Sequence, residues 1–210
     1  MFPEYIDRVD DSTKHRNGEV NELIELLSSI CPLSDAFVHA LKKELTHLSL
    51  PKNYHLLEAP KISEHAYFIE RGFAMSYLFV DGRKQPERLW GPGQIVFSPR
   101  SFFEQIPSQE FIQLLQVTDV LCISYPAVMK LFRDYHEAND IYRVVMNQYL
   151  EQSRQRYRDL RNLNAQQRFA QLIGEFPDIE QIASQDNIAA YLGLTAQSLS
   201  RIKRQGRSHY

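Results

Sequence analysis

Near the start of the chain, apolar residues recur with helical spacing. Leu23, Ile24, Leu26, Leu27 and Ile30 make one apolar face over 19–30. Cys31-Pro32 closes that helix, because proline lacks the N–H that a further turn needs. Ser34 can cap a second helix carrying Phe37, Val38, Leu41 and Leu45. The preceding stretch, 1–18, is polar and mixed in charge and reads as a loosely held arm.

Between Leu48 and Ser124 the period shortens. Runs at 54–58, 66–69, 73–80, 87–90, 94–97, 111–117 and 120–124 read as strands. Arg71-Gly72, Asp81-Gly82 and Gly91-Pro92-Gly93 separate several of them. Asp-Gly favours the two positive φ angles of a tight hairpin. Short strands with turns about every ten residues predict a β-sandwich or jelly roll. Helical spacing then returns: Pro126 opens a segment with Val128, Met129, Leu131 and Phe132. Residues 137–163 follow without Gly or Pro, first apolar (Ile141, Val144, Val145) and then charged (Arg154, Arg156, Arg158, Arg161). Met146, Leu150, Ser153, Tyr157 and Leu160 alternate spacings of four and three, the period of a coiled-coil seam. That seam predicts self-association, although packing on the helix's own β domain accounts equally for the early apolar stretch.

The last segment is the most specific. Ser184 can cap a helix whose Ile188, Ala189 and Leu192 face inward, and Gly193 supplies the left-handed turn that stops it. Thr195 is a second N-cap; Leu199 and Ile202 lie inside, while Gln197, Arg201 and Arg204 follow one another on the outer face. The pattern is a helix-turn-helix, whose second helix enters the major groove of DNA. An ordinary C-terminal hairpin with a solvated basic end is the plainer reading. The fold class is α+β, with units at 19–136, 137–163 and 164–210.

Composition narrows this picture. A chain of 210 residues with 43% hydrophobic and 24% charged positions is globular. Its net charge of -2 excludes a generally basic nucleic-acid coat, so DNA affinity must come from a local patch. Such a patch exists: over 185–210 the basic Arg201, Lys203, Arg204 and Arg207 face one acid, Asp186. Cys31 and Cys122 give neither a disulfide framework nor metal-site spacing. The histidines are scattered, and His55 or His65 reads as a half-buried strand residue. No nucleophile elbow, P-loop or dinucleotide fingerprint occurs, so an enzyme is not expected and no catalytic residue, metal or cofactor is assigned. The start has no signal-peptide profile, and no apolar run approaches the roughly 20 residues that span a bilayer. A cytoplasmic protein is expected.

A β-roll flanked by helices, a long helix and a helix-turn-helix, in that order, resemble the Crp/Fnr family of bacterial transcription regulators over 21–205. The segment Asn164-Ala165-Gln166-Gln167-Arg168-Phe169-Ala170-Gln171-Leu172-Ile173-Gly174-Glu175-Phe176-Pro177 resembles the helix opening that family's DNA-binding domain. Ile188-Ala189-Ala190-Tyr191-Leu192-Gly193-Leu194-Thr195 with Leu199-Ser200-Arg201-Ile202 is its most family-specific stretch. The resemblance implies a homodimer placing two recognition helices in successive major grooves of double-stranded DNA. Thr195, Ala196, Gln197, Ser200, Arg201, Lys203 and Arg204 are then the DNA-binding residues. Where the family has Arg-Glu and a second Arg, this chain has Ala196, Gln197 and Arg201, which implies a different target sequence. Arg201 suits guanine and Gln197 adenine, while Lys203, Arg204 and Arg207 suit phosphates. The chain ends six residues after Arg204. Phosphate contacts of the family's wing are therefore expected to be missing or supplied by Arg161, Arg168 or the tail.

Members that bind cyclic AMP carry a Gly-Glu pair, a short helix and an Arg around the phosphate. In the matching stretch, Phe97 and Ser98 occupy the Gly-Glu positions and Ser108 the Arg position. Arg100 lies nearby, behind Pro99. The expected effector pocket, Phe97, Ser98, Arg100, Ser108 and Gln109, thus lacks the carboxylate and the cation and is not suited to cyclic AMP. Phe97, Phe102, Phe103 and Phe111 read as one cluster, filling the pocket themselves or open to an apolar ligand. An unidentified small-molecule effector is left open as a partner. The alternatives are a cyclic-nucleotide-responsive regulator with an atypical cassette and an adaptor that does not bind DNA.

Overall fold

The computed structural model describes residues 20–207; the expected arm at 1–18 and the end of the tail lie outside them. Helix α1 (Val20–Ile30) and helix α2 (Asp35–Glu44) come first, and the Ser34 hydroxyl caps α2 by accepting from the Phe37 amide at 3.2 Å. Eight strands follow: β1 (Thr46–Leu50), β2 (His55–Leu57), β3 (His65–Arg71), β4 (Ala74–Val80), β5 (Arg83–Trp90), β6 (Ile95–Val96), β7 (Phe111–Leu114) and β8 (Thr118–Ser124). Helix α3 (Pro99–Glu104) interrupts them between β6 and β7. The strands form two antiparallel sheets, ordered β1-β8-β3-β6 and β2-β7-β4-β5. Between the sheets lies a core that includes Leu48, Leu57, Ile69, Trp90, Val96, Ile112, Leu114 and Val120.

The expected roll is present, with two differences that have local causes. Leu45, expected on the second helix, turns to extended backbone at the end of α2, and β1 follows at Thr46–Leu50, where the apolar pattern predicts no strand. Strand β5 begins at Arg83 rather than at 87, although it contains Pro86. The register between β4 and β5 shifts at Ser76/Tyr77, leaving Glu87 as the extra residue of a bulge. Proline is tolerated there because β5 is an edge strand. Asp81 (φ 49°) and Gly82 (φ 71°) make the expected tight hairpin.

Helix α4 (Tyr125–Asp134) and the long helix α5 (His136–Asn162) follow. A second apolar cluster joins α1, α2, α4 and the start of α5 to one sheet through Leu23, Phe37, Phe68, Leu121, Leu131 and Ala138. The remaining helices are α6 (Ala165–Glu175), α7 (Ile179–Ile182), α8 (Gln185–Tyr191) and α9 (Ala196–Arg207). They do not stand apart from the roll. Leu172, Phe176, Ile179, Ile188 and Leu199 form one cluster with Met75, Tyr77, Leu89 and Leu115. Met75 and Leu89 pair across β4 and β5, alternating with Ala74 and Trp90, which pair toward the inter-sheet core. Sheet β2-β7-β4-β5 is therefore covered on both faces. No helix among the described residues is long and apolar enough to cross a membrane.

Gly72 makes the β3–β4 corner at φ +107°, and a Cβ there would run into the buried Thr118 side chain. Gly72→Ala should cost roughly 2 kcal/mol or more. A urea titration that left the unfolding midpoint unchanged would contradict this.

Candidate nucleic-acid interface and effector cleft

The C-terminal helices owe their positions to local hydrogen bonds. Asn164 and Gln167 form a reciprocal capping box on α6: Gln167 N–H donates to Asn164 Oδ1 at 2.9 Å, and Asn164 N–H to Gln167 Oε1 at 3.0 Å. Ser184 caps α8 by accepting from the Asn187 amide, and Thr195 caps α9 by accepting from the Ser198 amide, each at 3.2 Å. Gly193, at φ +67°, turns the chain between them, and its amide donates to the Ala190 carbonyl at 3.0 Å. The Ala189 side chain is buried where the helices meet, and Leu199 is fully buried. Burial of a leucine side chain contributes about 1.5–3 kcal/mol.

With Leu199 inward, α9 has one direction left for its polar residues. Thr195, Ala196, Gln197, Arg201 and Arg204 are exposed and Ser200 is half-buried. Gln197, Arg201 and Arg204 thus form an outward stripe along the helix. Lys203 points elsewhere and pairs with Glu180 of α7. Arg168 is also engaged, donating to the carbonyls of Leu163 and of Leu192, the latter at 3.0 Å, which fastens α6 to the end of α8. Of the phosphate contacts expected from sequence, these two cations are held within the helical unit. Around α5, Arg154 and Arg158 share one exposed carboxylate, Glu151.

Phe97, Ser98, Arg100, Ser108 and Gln109 line one open cavity of about 1000 Å³ between the roll, α5 and the C-terminal helices. Arg100 pairs outward with Glu104 at 3.3 Å. Several charged residues of the cleft were missed from sequence, Glu110 and Arg88 among them. Glu110 reaches it from the start of β7, and the hydroxyls of Ser98 and Ser76 hydrogen-bond its carboxylate, whose pKa burial pushes up. Arg88 reaches it from β5. The cleft therefore has both a carboxylate and a cation, on elements other than the β6–α3 stretch that a cassette comparison inspects. Glu110 had one local signal, its place in the turn where its amide donates to Ser108 Oγ at 3.0 Å.

The aromatic cluster divides. Phe97, Phe102 and Phe103 pack edge to face with one another. Phe111 stands apart from them, stacked on Tyr77 at 5.1 Å with an interplanar angle of 6°. Strand pairing separates it, since β7 lies beside β4 in the other sheet. Among the described residues, no group of three His, Cys, Asp or Glu side chains is placed to hold a metal ion.

Because the folded-state pKa of Glu110 is raised, the native state binds its proton more tightly than the unfolded chain does. Its ionisation therefore removes stability as pH climbs from the usual carboxylate range through the raised value. Glu110→Gln should gain stability over the parent as pH rises toward 8 and lose that advantage below about pH 4, where both side chains are neutral. Urea midpoints of the two proteins across that range are the measurement; parallel curves would refute the assignment.

No family model matches the chain, and no curated protein matches it. Solved structures do. FixK2 from Bradyrhizobium japonicum superposes with a TM-score of 0.65 at 21% identity, covering 78% of this chain and 85% of that one. CLP, the c-di-GMP responsive global regulator of Xanthomonas campestris, gives 0.64 at 14% identity, covering 83% and 92%. A regulator assigned to the crp/fnr family from Eubacterium rectale gives 0.68 at 15% identity, covering 84% of each chain. The β-roll, the long helix and the C-terminal helical unit together have the fold of Crp/Fnr-type transcription regulators.

Proposed function

We propose that the protein is a homodimeric, sequence-specific DNA-binding transcription regulator whose cleft does not serve cyclic AMP. The observation that carries this reading is α9. It is capped at its start, anchored by the fully buried Leu199, and presents Gln197, Arg201 and Arg204 outward. Such a helix fits the major groove, with Arg201 reading guanine, Gln197 reading adenine and Arg204 on a phosphate. The dimer reading is supported by the upper seam of α5, where Leu150 and Tyr157 are 49% and 65% exposed, while Leu160 lies beside Gly193 of the chain's own helical unit. Large apolar side chains repeated along one line of a helix favour a partner helix over water. A two-fold pair would set two α9 helices on half-sites one turn of DNA apart.

The cleft argues against an anionic phosphate. Its cations are already engaged: Arg88 and Arg156 donate to oxygens of the chain, and Arg100 pairs outward with Glu104. A cyclic phosphate needs a fixed cation and free backbone donors.

Genomic fragments retained by the purified protein should contain an inverted repeat, and retention should fall steeply with salt. Arg201→Ala should cost about 1–3 kcal/mol of discrimination at one base position, whereas Arg204→Ala should weaken all sequences alike. Equal weakening by both variants would remove the base-reading role. Millimolar cyclic AMP or cyclic GMP should leave the melting temperature unchanged; a ligand at 100 times its Kd would add about 2.7 kcal/mol.

A further inference from the structure

The cleft is bridged by a guanidinium that the chain itself supplies. Arg88 leaves β5 and lies over the Tyr149 ring, its guanidinium carbon 3.9 Å from the centroid, with Trp90 on the same strand at 5.8 Å. It donates to the Tyr149 carbonyl at 3.1 Å, Ser153 Oγ at 2.8 Å and Gln152 Oε1 at 3.0 Å, all on α5. Tyr149 in turn donates its hydroxyl to the Phe97 carbonyl at 3.0 Å, closing the roll against the helix a second time. One turn further, Arg156 returns from α5 to the Pro86 carbonyl at 3.2 Å. The same side chain also donates to the Tyr191 carbonyl at 2.8 Å and stacks on that ring at 3.8 Å. Tyr191 ends α8, and α9 starts after the next turn. A chain of direct contacts therefore runs from β5 through Arg88, α5 and Arg156 to the end of α8, from which one turn leads to α9.

The chemistry of this path suits arginine and not lysine. A planar fork can lie flat on a ring and still direct several N–H groups at separate acceptors, which a point ammonium cannot do. These acceptors are carbonyls, a hydroxyl and an amide oxygen; none is a carboxylate. We propose that Arg88 is a built-in brace: from the wall of the cleft it makes the link between the roll and α5 that a diffusible effector would otherwise make, and so orients the DNA-binding helices without one. This rests on the reading of α9 and the cleft given under the proposed function, and it makes Arg88 a positioning residue for DNA binding.

The test uses the full chain as Arg88→Ala, Arg88→Lys and a Gln152→Ala/Ser153→Ala double variant that removes acceptors only. Amide exchange should rise in α5 from Tyr149 onward and in α8 and α9, with β3 and β8 at the parent rate. Millimolar ethylguanidinium should reverse this saturably in Arg88→Ala, with no effect on the parent, and the Lys variant should behave like Ala. Retention of DNA by Arg88→Ala should fall about tenfold and recover with the same additive. Exchange that is unchanged, that rises uniformly across the roll, or that ethylguanidinium does not reverse would overturn the proposal. If Arg88→Ala does not fold, the double variant decides: loosening of the same segment supports the bridge, and parent-like exchange refutes it. Should the parent bind no DNA at all, the regulatory reading fails, while the exchange and rescue measurements still decide whether Arg88 braces α5.

Discussion

The apolar outer face of the β4–β5 ribbon governs the arrangement of this molecule. Met75, Tyr77 and Leu89 project away from the inter-sheet core and need a cover. The cover is the C-terminal helical unit, whose Phe176, Ile179, Ile188 and Leu199 complete one continuous cluster with them. Phe73 meets Phe176 edge to face at 6.0 Å beside Gly91, where a Cβ would approach the Phe73 ring to 3.0 Å. Because burial is roughly proportional to apolar area removed from water, this cover cannot slide freely. The direction in which α9 presents its stripe follows from how α8 sits on β5.

Charge is divided according to the same geometry. Cations near the fold's joints donate inward: Arg168 to Leu163 and Leu192, Arg156 to Pro86 and Tyr191, Lys203 to Glu180. Arg201 and Arg204 remain on the outward face of α9. A chain that is slightly acidic overall can in this way present a compact positive stripe without a generally basic surface.

Much of this was legible from residues with strong local chemistry. Ser34, Ser184 and Thr195 act as the caps their sequence contexts suggested, Asp81-Gly82 makes the hairpin, and Gly193 takes positive φ. The long helix departs from its expected span by one residue at each end. What escaped was set by tertiary context. A proline hid half of β5 because edge position and bulge cannot be read from composition. Phe111 looked like a neighbour of Phe97 in sequence, yet strand order puts it in the other sheet. Arg88 and Glu110 carry no motif, since their proximity depends on how β5, β7 and α5 converge. Nor could spacing tell that Lys203 and Arg168 would turn inward, for their partners Glu180, Leu163 and Leu192 come from other turns of the helical unit.

The bulge at Glu87 has a further effect. An outermost strand ordinarily offers a ladder of vacant amides and carbonyls to any passing extended segment. On β5 that ladder is broken: Pro86 has no amide to offer, its carbonyl is taken by Arg156, and the shifted register throws the remaining groups out of step. The irregularity that conceals the strand from a reader of the sequence also denies it to other polypeptides, which guards the rim of this sheet against runaway intermolecular pairing.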